Sequence, residues 1–167
     1  GIEKGEFTLI TGPSGCGKTT LCRTFNGLIP HFYHGEMKGE INAAGFNVSE
    51  HQIHELAEHV GLVFQNPENQ LFALSVEKDV AFGLENLGVA REEMRKKVEW
   101  ALNLTGIYDL RERPPYELSG GQQQRVAIAS VLAMQPEVIV LDEPTSFLDP
   151  LGAKRIFEVI HAMTKTL

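Results

Sequence analysis

Apolar and polar positions alternate in blocks along this chain, and the blocks switch period. Phe7-Thr8-Leu9-Ile10 is a short apolar run ahead of a glycine-rich stretch and reads as a buried strand. Thr19 to Asn26 reads as the first turns of a helix. After Gln65 the pattern turns helical: Met94, Val98, Ala101 and Leu102 mark one face of a helix from about Arg91 to Asn103. Pro114-Pro115 breaks the chain, and an amphipathic helix is expected from about Gln123 to Ala133. Val138-Ile139-Val140-Leu141 is apolar throughout, as in a parallel strand covered on both faces. Ile156, Phe157, Ile160 and Met163 stripe a last helix. Strand, loop, helix, a helical middle and a second buried strand add up to an α/β domain.

The loop after the first strand supplies the chemistry. Gly12-Pro13-Ser14-Gly15-Cys16-Gly17-Lys18-Thr19 fits G-x-x-x-x-G-K-[ST] between a strand and a helix, the context in which that pattern cradles phosphates. Glycines let successive N–H groups point inward, the helix N-terminus adds its dipole, and Lys18 adds a full charge near the β- and γ-phosphates. Thr19 offers a hydroxyl to Mg²⁺ and Thr20 continues the phosphate-binding turn. At the far end, the strand ending at Leu141 delivers Asp142 and Glu143 at its carboxyl end, where ligands of open α/β sheets bind. One carboxylate can hold a metal shell and the other can orient or deprotonate a water.

Leu118-Ser119-Gly120-Gly121-Gln122, taken alone, is a flexible turn with a capping serine. Lying between a phosphate loop and the Asp142 carboxylate, it resembles the signature sequence of ATP-binding-cassette ATPases. Gln65 after Leu62-Val63-Phe64 is similar to the family's Q-loop glutamine, Asp142-Glu143-Pro144-Thr145-Ser146 to its extended Walker B, and Phe147-Leu148-Asp149 to its D-loop. The stretches Gln65–Phe72, Val76–Gly83 and Asn26–Pro30 resemble energy-coupling-factor importer ATPases, which power uptake of vitamins and of cobalt or nickel ions. The third stretch is closest to members with two fused ATPase domains. Phe147 and Gln123 depart from the group's usual residues.

The resemblance implies a P-loop NTPase with a RecA-like parallel-sheet core, formed by residues 1–70 and 137–167, and an inserted helical subdomain over 71–136 that holds Trp100. It implies ATP and Mg²⁺, the latter through Thr19, Gln65 and Asp142. Glu143 and Gln65 would be catalytic, and Gly12 to Thr20 would bind ATP. Ser119, Gly120, Gly121 and Gln122 would face the ATP of a second cassette paired head to tail. The partners would be that cassette and integral membrane transporter subunits, and the place of work the cytoplasmic face of the membrane. Rivals are a soluble cassette ATPase of DNA repair or translation, or a catalytically silent fragment. The family's adenine-stacking aromatic and switch histidine have no counterpart between residues 1 and 167, and His161 is not assigned the latter role. The chain is therefore expected to be truncated at both ends, inactive alone, and to leave the Phe7–Ile10 strand without a neighbour.

Composition narrows the choice. The chain has 167 residues, 43% of them apolar and 22% charged, enough for one globular domain. A net charge of −7 disfavours nucleic acid as partner. The one dense basic run, Arg91 with Arg95-Lys96-Lys97, carries Glu92 and Glu93 at i,i+4 and reads as a solvated helix face. No stretch has the ~18 uninterrupted apolar residues of a spanning helix. Cys16 and Cys22 suggest no disulfide framework, which fits a reducing compartment. Histidines 31, 34, 51, 54 and 59 lack companion ligands at zinc spacing and read as structural or solvated.

Overall fold

A computed structural model describes residues 1–35, 37–146 and 148–166, with side chains up to residue 162. Helices α1 (Lys18–Phe25) and α2 (Leu28–His31) follow the phosphate-loop stretch. A small antiparallel hairpin, β1 (Asn42–Ala43) and β2 (Phe46–Asn47), comes next, then α3 (Ile53–Ala57) and β3 (Val60–Val63). Three longer helices fill the middle, α4 (Val76–Asn86), α5 (Arg91–Leu104) and α6 (Gly120–Met134), before β4 (Val138–Leu141) and α7 (Pro150–Thr166).

The sheet that matters is β3 beside β4, parallel, with Val60 opposite Val138 and Val63 opposite Leu141. Parallel neighbours put both carboxyl ends on one edge, so Gln65 and Asp142 leave the sheet on the same side. Helix α6 crosses behind this pair. Gly61 makes the crossing close: a Cβ there would overlap Val131 Cγ1 and lie 3.1 Å from Pro136 Cγ. Gly83 does the same for α4, whose backbone lies against the Met134 sulfur.

One large core joins Val63, Val80, Leu84, Leu102, Ile128, Leu132 and Ile156, so β3, α4, α5, α6 and α7 share it. A second cluster, Ala43, Val48, Leu56 and Val60, seats the hairpin and α3 on the outer side of the sheet. Burying each large aliphatic side chain of these clusters contributes about 1.5–3 kcal/mol.

Several expectations need correction. Phe7–Ile10 forms no strand: none of its backbone groups is hydrogen-bonded among the described residues, and Phe7, Leu9 and Ile10 are 59%, 75% and 47% exposed. An extended segment becomes a strand only through a ladder partner, and none pairs with this one among the described residues. Helix α6 begins at Gly120 rather than near Gln123, because Ser119 and Gln122 close a capping box around the two glycines. Nor is it amphipathic. Gln123, Gln124, Val126, Ala127, Ile128, Ala129, Val131, Leu132 and Ala133 are all buried, since α4, α5 and the sheet surround it.

On α7 the stripe runs through Ile156, Val159 and Ile160, while Phe157 is exposed. The Met163 side chain and all of Phe147 lie outside the described residues. The remaining predicted elements hold to within two residues. The Glu92–Lys96 and Glu93–Lys97 pairs form at 3.3 Å and 3.2 Å on the outer face of α5. Trp100 packs, partly buried, against the core.

Candidate active site

The stretch from Gly12 to Gly17 is a loop whose Gly15 and Gly17 have φ of 77° and 101°, angles a side chain would strain. At Gly12 a Cβ would lie 2.8 Å from Cys16 Sγ, a contact that the exposed cysteine side chain can relieve by rotating. The loop feeds directly into α1, so the free N–H groups of the first turn and the positive end of the helix dipole sit at its floor. Lys18, the first residue of that helix, curls its side chain back over the loop. Its Nζ donates to the carbonyls of Gly12 (3.1 Å) and Pro13 (3.2 Å) and pairs with Glu143 Oε1 at 3.1 Å.

Residues distant in sequence converge on this point. Thr19 Oγ1 donates to Asp142 Oδ1 at 3.1 Å across 123 positions of sequence. Gln65 Nε2 donates to Glu143 Oε2 at 2.9 Å, and Ser146 Oγ donates to the same oxygen at 2.8 Å. Asp142 is buried, and its backbone N–H continues the parallel ladder to Val63 O. Glu143 has a φ of 47°, the left-handed region that costs a non-glycine residue about 1 kcal/mol or more. That kink turns its carboxylate away from the strand direction and toward Lys18. Hydrogen bonds from Ser146 and then Lys18 hold the Glu143 carboxyl below the usual carboxylate range. The same pairing raises the Lys18 ammonium.

The structure thus brings together Gly12, Pro13, Lys18, Thr19, Gln65, Asp142 and Glu143. Ser14, Gly15, Cys16 and Gly17 form the loop itself, and Thr20 continues α1 without a side-chain partner among the described contacts. Cys16 is exposed, and burial beside Asp142 pushes the Cys22 thiol up. Ser119, Gly120, Gly121 and Gln122 sit elsewhere, at the start of α6. No described hydrogen bond links them to the loop. Ser119 N donates to Gln122 Oε1 at 2.9 Å, and Ser119 Oγ accepts from Gln122 N at 3.4 Å. Two of the histidines have ordinary partners: His31 reaches Val48 O at 2.8 Å, and His59 pairs with Glu137 at 2.9 Å under the stacked Phe46 ring.

Two supports escaped the sequence reading. Gln70 Oε1 accepts from Phe64 N at 3.2 Å and fixes the exit from β3 toward Gln65. Ser146 stands three residues after Glu143, a spacing that one tight turn brings back into contact, and that spacing was the available signal.

The pairing of Thr19 with Asp142 tests the fit of a divalent cation. Two oxygens about 2.9 Å apart are adjacent corners of a magnesium octahedron with ~2.1 Å bonds, and these stand 3.1 Å apart. Residues 1–146 match the family described as ABC transporter. The chain belongs to that family. It is 55% identical over 164 residues to a putative ABC transporter ATP-binding protein of Pyrococcus abyssi, covering 98% of this chain and 59% of that one. A putative ABC transporter ATP-binding protein of Pyrococcus horikoshii is also 55% identical, with 98% and 58% covered. The cassette therefore spans somewhat under three-fifths of these curated relatives.

Among solved structures, cbiO1 of Clostridium perfringens, described as part of the ABC transporter complex cbiONQ, superposes with a TM-score of 0.86. It is 43% identical and covers 99% of this chain and 65% of that one. The ATP-binding cassette MJ0796, solved as a post-hydrolysis dimer bound to ADP and Pi, gives 0.83 at 30% identity, with 99% and 72% covered. The fold is accordingly that of the ABC cassette, a P-loop NTPase with a parallel sheet.

Proposed function

We propose that this cassette is the ATP-hydrolysing part of a membrane importer of the energy-coupling-factor type, driving uptake of a vitamin or a metal ion. The observation that carries the reading is the convergence of Lys18, Thr19, Asp142, Glu143 and Gln65 at one edge of the β3–β4 pair. ATP lays its phosphates on the Gly12–Thr19 loop, against the N–H groups of the first turn of α1. Lys18 then exchanges the Gly12 and Pro13 carbonyls and the Glu143 carboxylate for phosphate oxygens. Glu143, released from that pair, accepts a proton from the attacking water. The water oxygen bonds to the γ-phosphorus as the bond to the β–γ bridging oxygen breaks, leaving ADP and phosphate. Thr19, Asp142 and Gln65 would hold Mg²⁺, which when bound neutralises charge on the phosphates.

Residues 1–70 and 137–167 form the nucleotide-binding core in this reading, and residues 71–136 the helical subdomain. Gln65 leads from one to the other and reports the γ-phosphate to it. Two cassettes pair head to tail, so that Ser119, Gly120, Gly121 and Gln122 of one close over the nucleotide of the other. Dimeric packing of the MJ0796 cassette supports this arrangement. The exposed, edge-to-face Phe72 and Phe82 rings and the exposed Leu74, next to the Gln65 loop, suit a hydrophobic contact with membrane subunits. Membership of cbiO1 in a transporter complex supports such partners. No described helix is long and apolar enough to cross a membrane.

Glu143→Gln in the full-length protein tests the proposal. Mg-ATP binding is expected to persist while turnover falls at least about a hundredfold, the loss of a positioned proton acceptor. Turnover at the parent rate would remove Glu143 from the chemistry and overturn the mechanism.

A further inference from the structure

The Glu143 carboxylate is held by three donors of different kinds. Lys18 reaches Oε1, and both Gln65 and Ser146 reach Oε2. We infer that Ser146 is the residue that positions the Glu143 carboxylate for water activation, anchoring Oε2 and leaving Oε1 as the oxygen that takes the proton. This rests on the reading of Glu143 as the catalytic carboxylate.

The assignment follows from how each donor is tethered. Lys18 belongs to the phosphate loop, and its charge is drawn to the phosphates whenever nucleotide arrives. Gln65 sits past the end of β3, on another segment, so its reach to Glu143 depends on how that segment is placed. Ser146 alone shares a turn with Glu143: its own N–H donates to Glu143 O at 3.1 Å, closing the four-residue loop Glu143–Ser146. The turn therefore keeps its hydroxyl within reach of the carboxylate without help from any other segment. A restraint of that kind is needed because Glu143 sits at φ 47°, where the backbone of a side-chain-bearing residue does not hold itself. Two oxygens with unequal tethers have unequal jobs. Oε2 keeps Ser146 throughout, whereas Oε1 loses Lys18 to the phosphates and faces the site with free lone pairs. A proton acceptor gains most from being fixed before reaction, since misplacement of a reacting group by about an ångström can cost roughly a hundredfold.

The experiment measures kcat and KM for ATP in the full-length protein, and ADP affinity by calorimetry, for Ser146→Ala, Ser146→Thr and Glu143→Gln. Ser146→Ala is expected to lower kcat about tenfold, with KM and the ADP Kd within about twofold of the parent. Ser146→Thr, which keeps the hydroxyl, is expected to restore kcat to within about threefold. An unchanged kcat in Ser146→Ala overturns the inference. So does a threonine variant no faster than the alanine one, or a loss of ADP binding in both, since either would mean the turn matters for folding and not for the carboxylate. Glu143→Gln separates the two ideas: if it still hydrolyses ATP, the underlying reading fails, and if it is dead while Ser146→Ala is normal, only the positioning role fails.

Discussion

Substituting Gly61 by alanine should be felt well beyond its one added methyl. The new Cβ would overlap Val131 Cγ1 and press on Pro136 Cγ at 3.1 Å. Val131 is branched at Cβ and confined to one rotamer in its helix, and the proline ring cannot turn aside. Overpacking of this kind costs about 1–3 kcal/mol, and two stiff neighbours place it toward the upper end, about 2–3 kcal/mol. Replacing a glycine also trims the freedom of the unfolded chain, which offsets about 0.4–1 kcal/mol. The net loss is about 1–2.5 kcal/mol, or roughly 2–10 °C in Tm for a chain of this size. Thermal and urea unfolding followed by circular dichroism would read it.

The decisive control is Val131→Ala, which removes the overlapping methyl. Alone it gives up about 1.6 kcal/mol for two lost methyl groups, plus a cavity term. In the Gly61→Ala background the new methyl occupies the vacated space, so the double variant should be more stable than the sum of the singles by at least about 1 kcal/mol. If Gly61→Ala stays within about 0.5 kcal/mol of the parent, or the double variant is merely additive, the close approach of α6 to β3 is not what requires glycine.

The remaining predictions concern nucleotide. Lys18→Ala should weaken Mg-ATP binding at least about tenfold, since a cation that pairs at 3.1 Å is removed from the phosphate cradle; titration calorimetry decides, and unchanged affinity would unseat the loop as the phosphate site. Pairing a Ser119→Arg protomer with a Lys18→Ala protomer should place both lesions in one composite site and leave the other whole, which nucleotide cross-linking would show as one labelled site per dimer. Lesions spread over both sites would refute the head-to-tail arrangement.

The parts of this fold that could be read ahead of the structure are those with a period or a motif. Helix α5 announced itself by Met94, Val98, Ala101 and Leu102 at helical spacing, and β4 by four apolar residues ending at two carboxylates. The hairpin of β1 and β2 has two residues per strand, too few to display alternation, and α3 has five, barely more than a turn. Helix α6 misled for a different reason. Gln123 and Gln124 look like solvent-facing residues but are buried. Gln123 Nε2 donates to Pro115 O at 3.1 Å, a contact across a proline turn that no local pattern encodes. For the candidate site, Lys18, Thr19, Asp142, Glu143 and Gln65 were legible because each belongs to a motif. Ser146 stood in a motif too, but its bond to Glu143 depends on a left-handed backbone angle that side-chain identity does not reveal.

Helix α6 also has a mechanical meaning. Its 15 residues make a rod of about 22 Å with Ser119 at one tip. At the other tip Gln135, at φ 56°, reverses the chain in a single residue, and Pro136 and Glu137 lead straight into β4. Packed against α4, α5 and the sheet along most of its length, such a rod has little freedom to bend. Gln135 joins it to the strand that carries Asp142 and Glu143. The exposed Ser119 turn and the Asp142–Glu143 carboxylates are in this way joined through one helix and one strand, with a single left-handed residue, Gln135, between them.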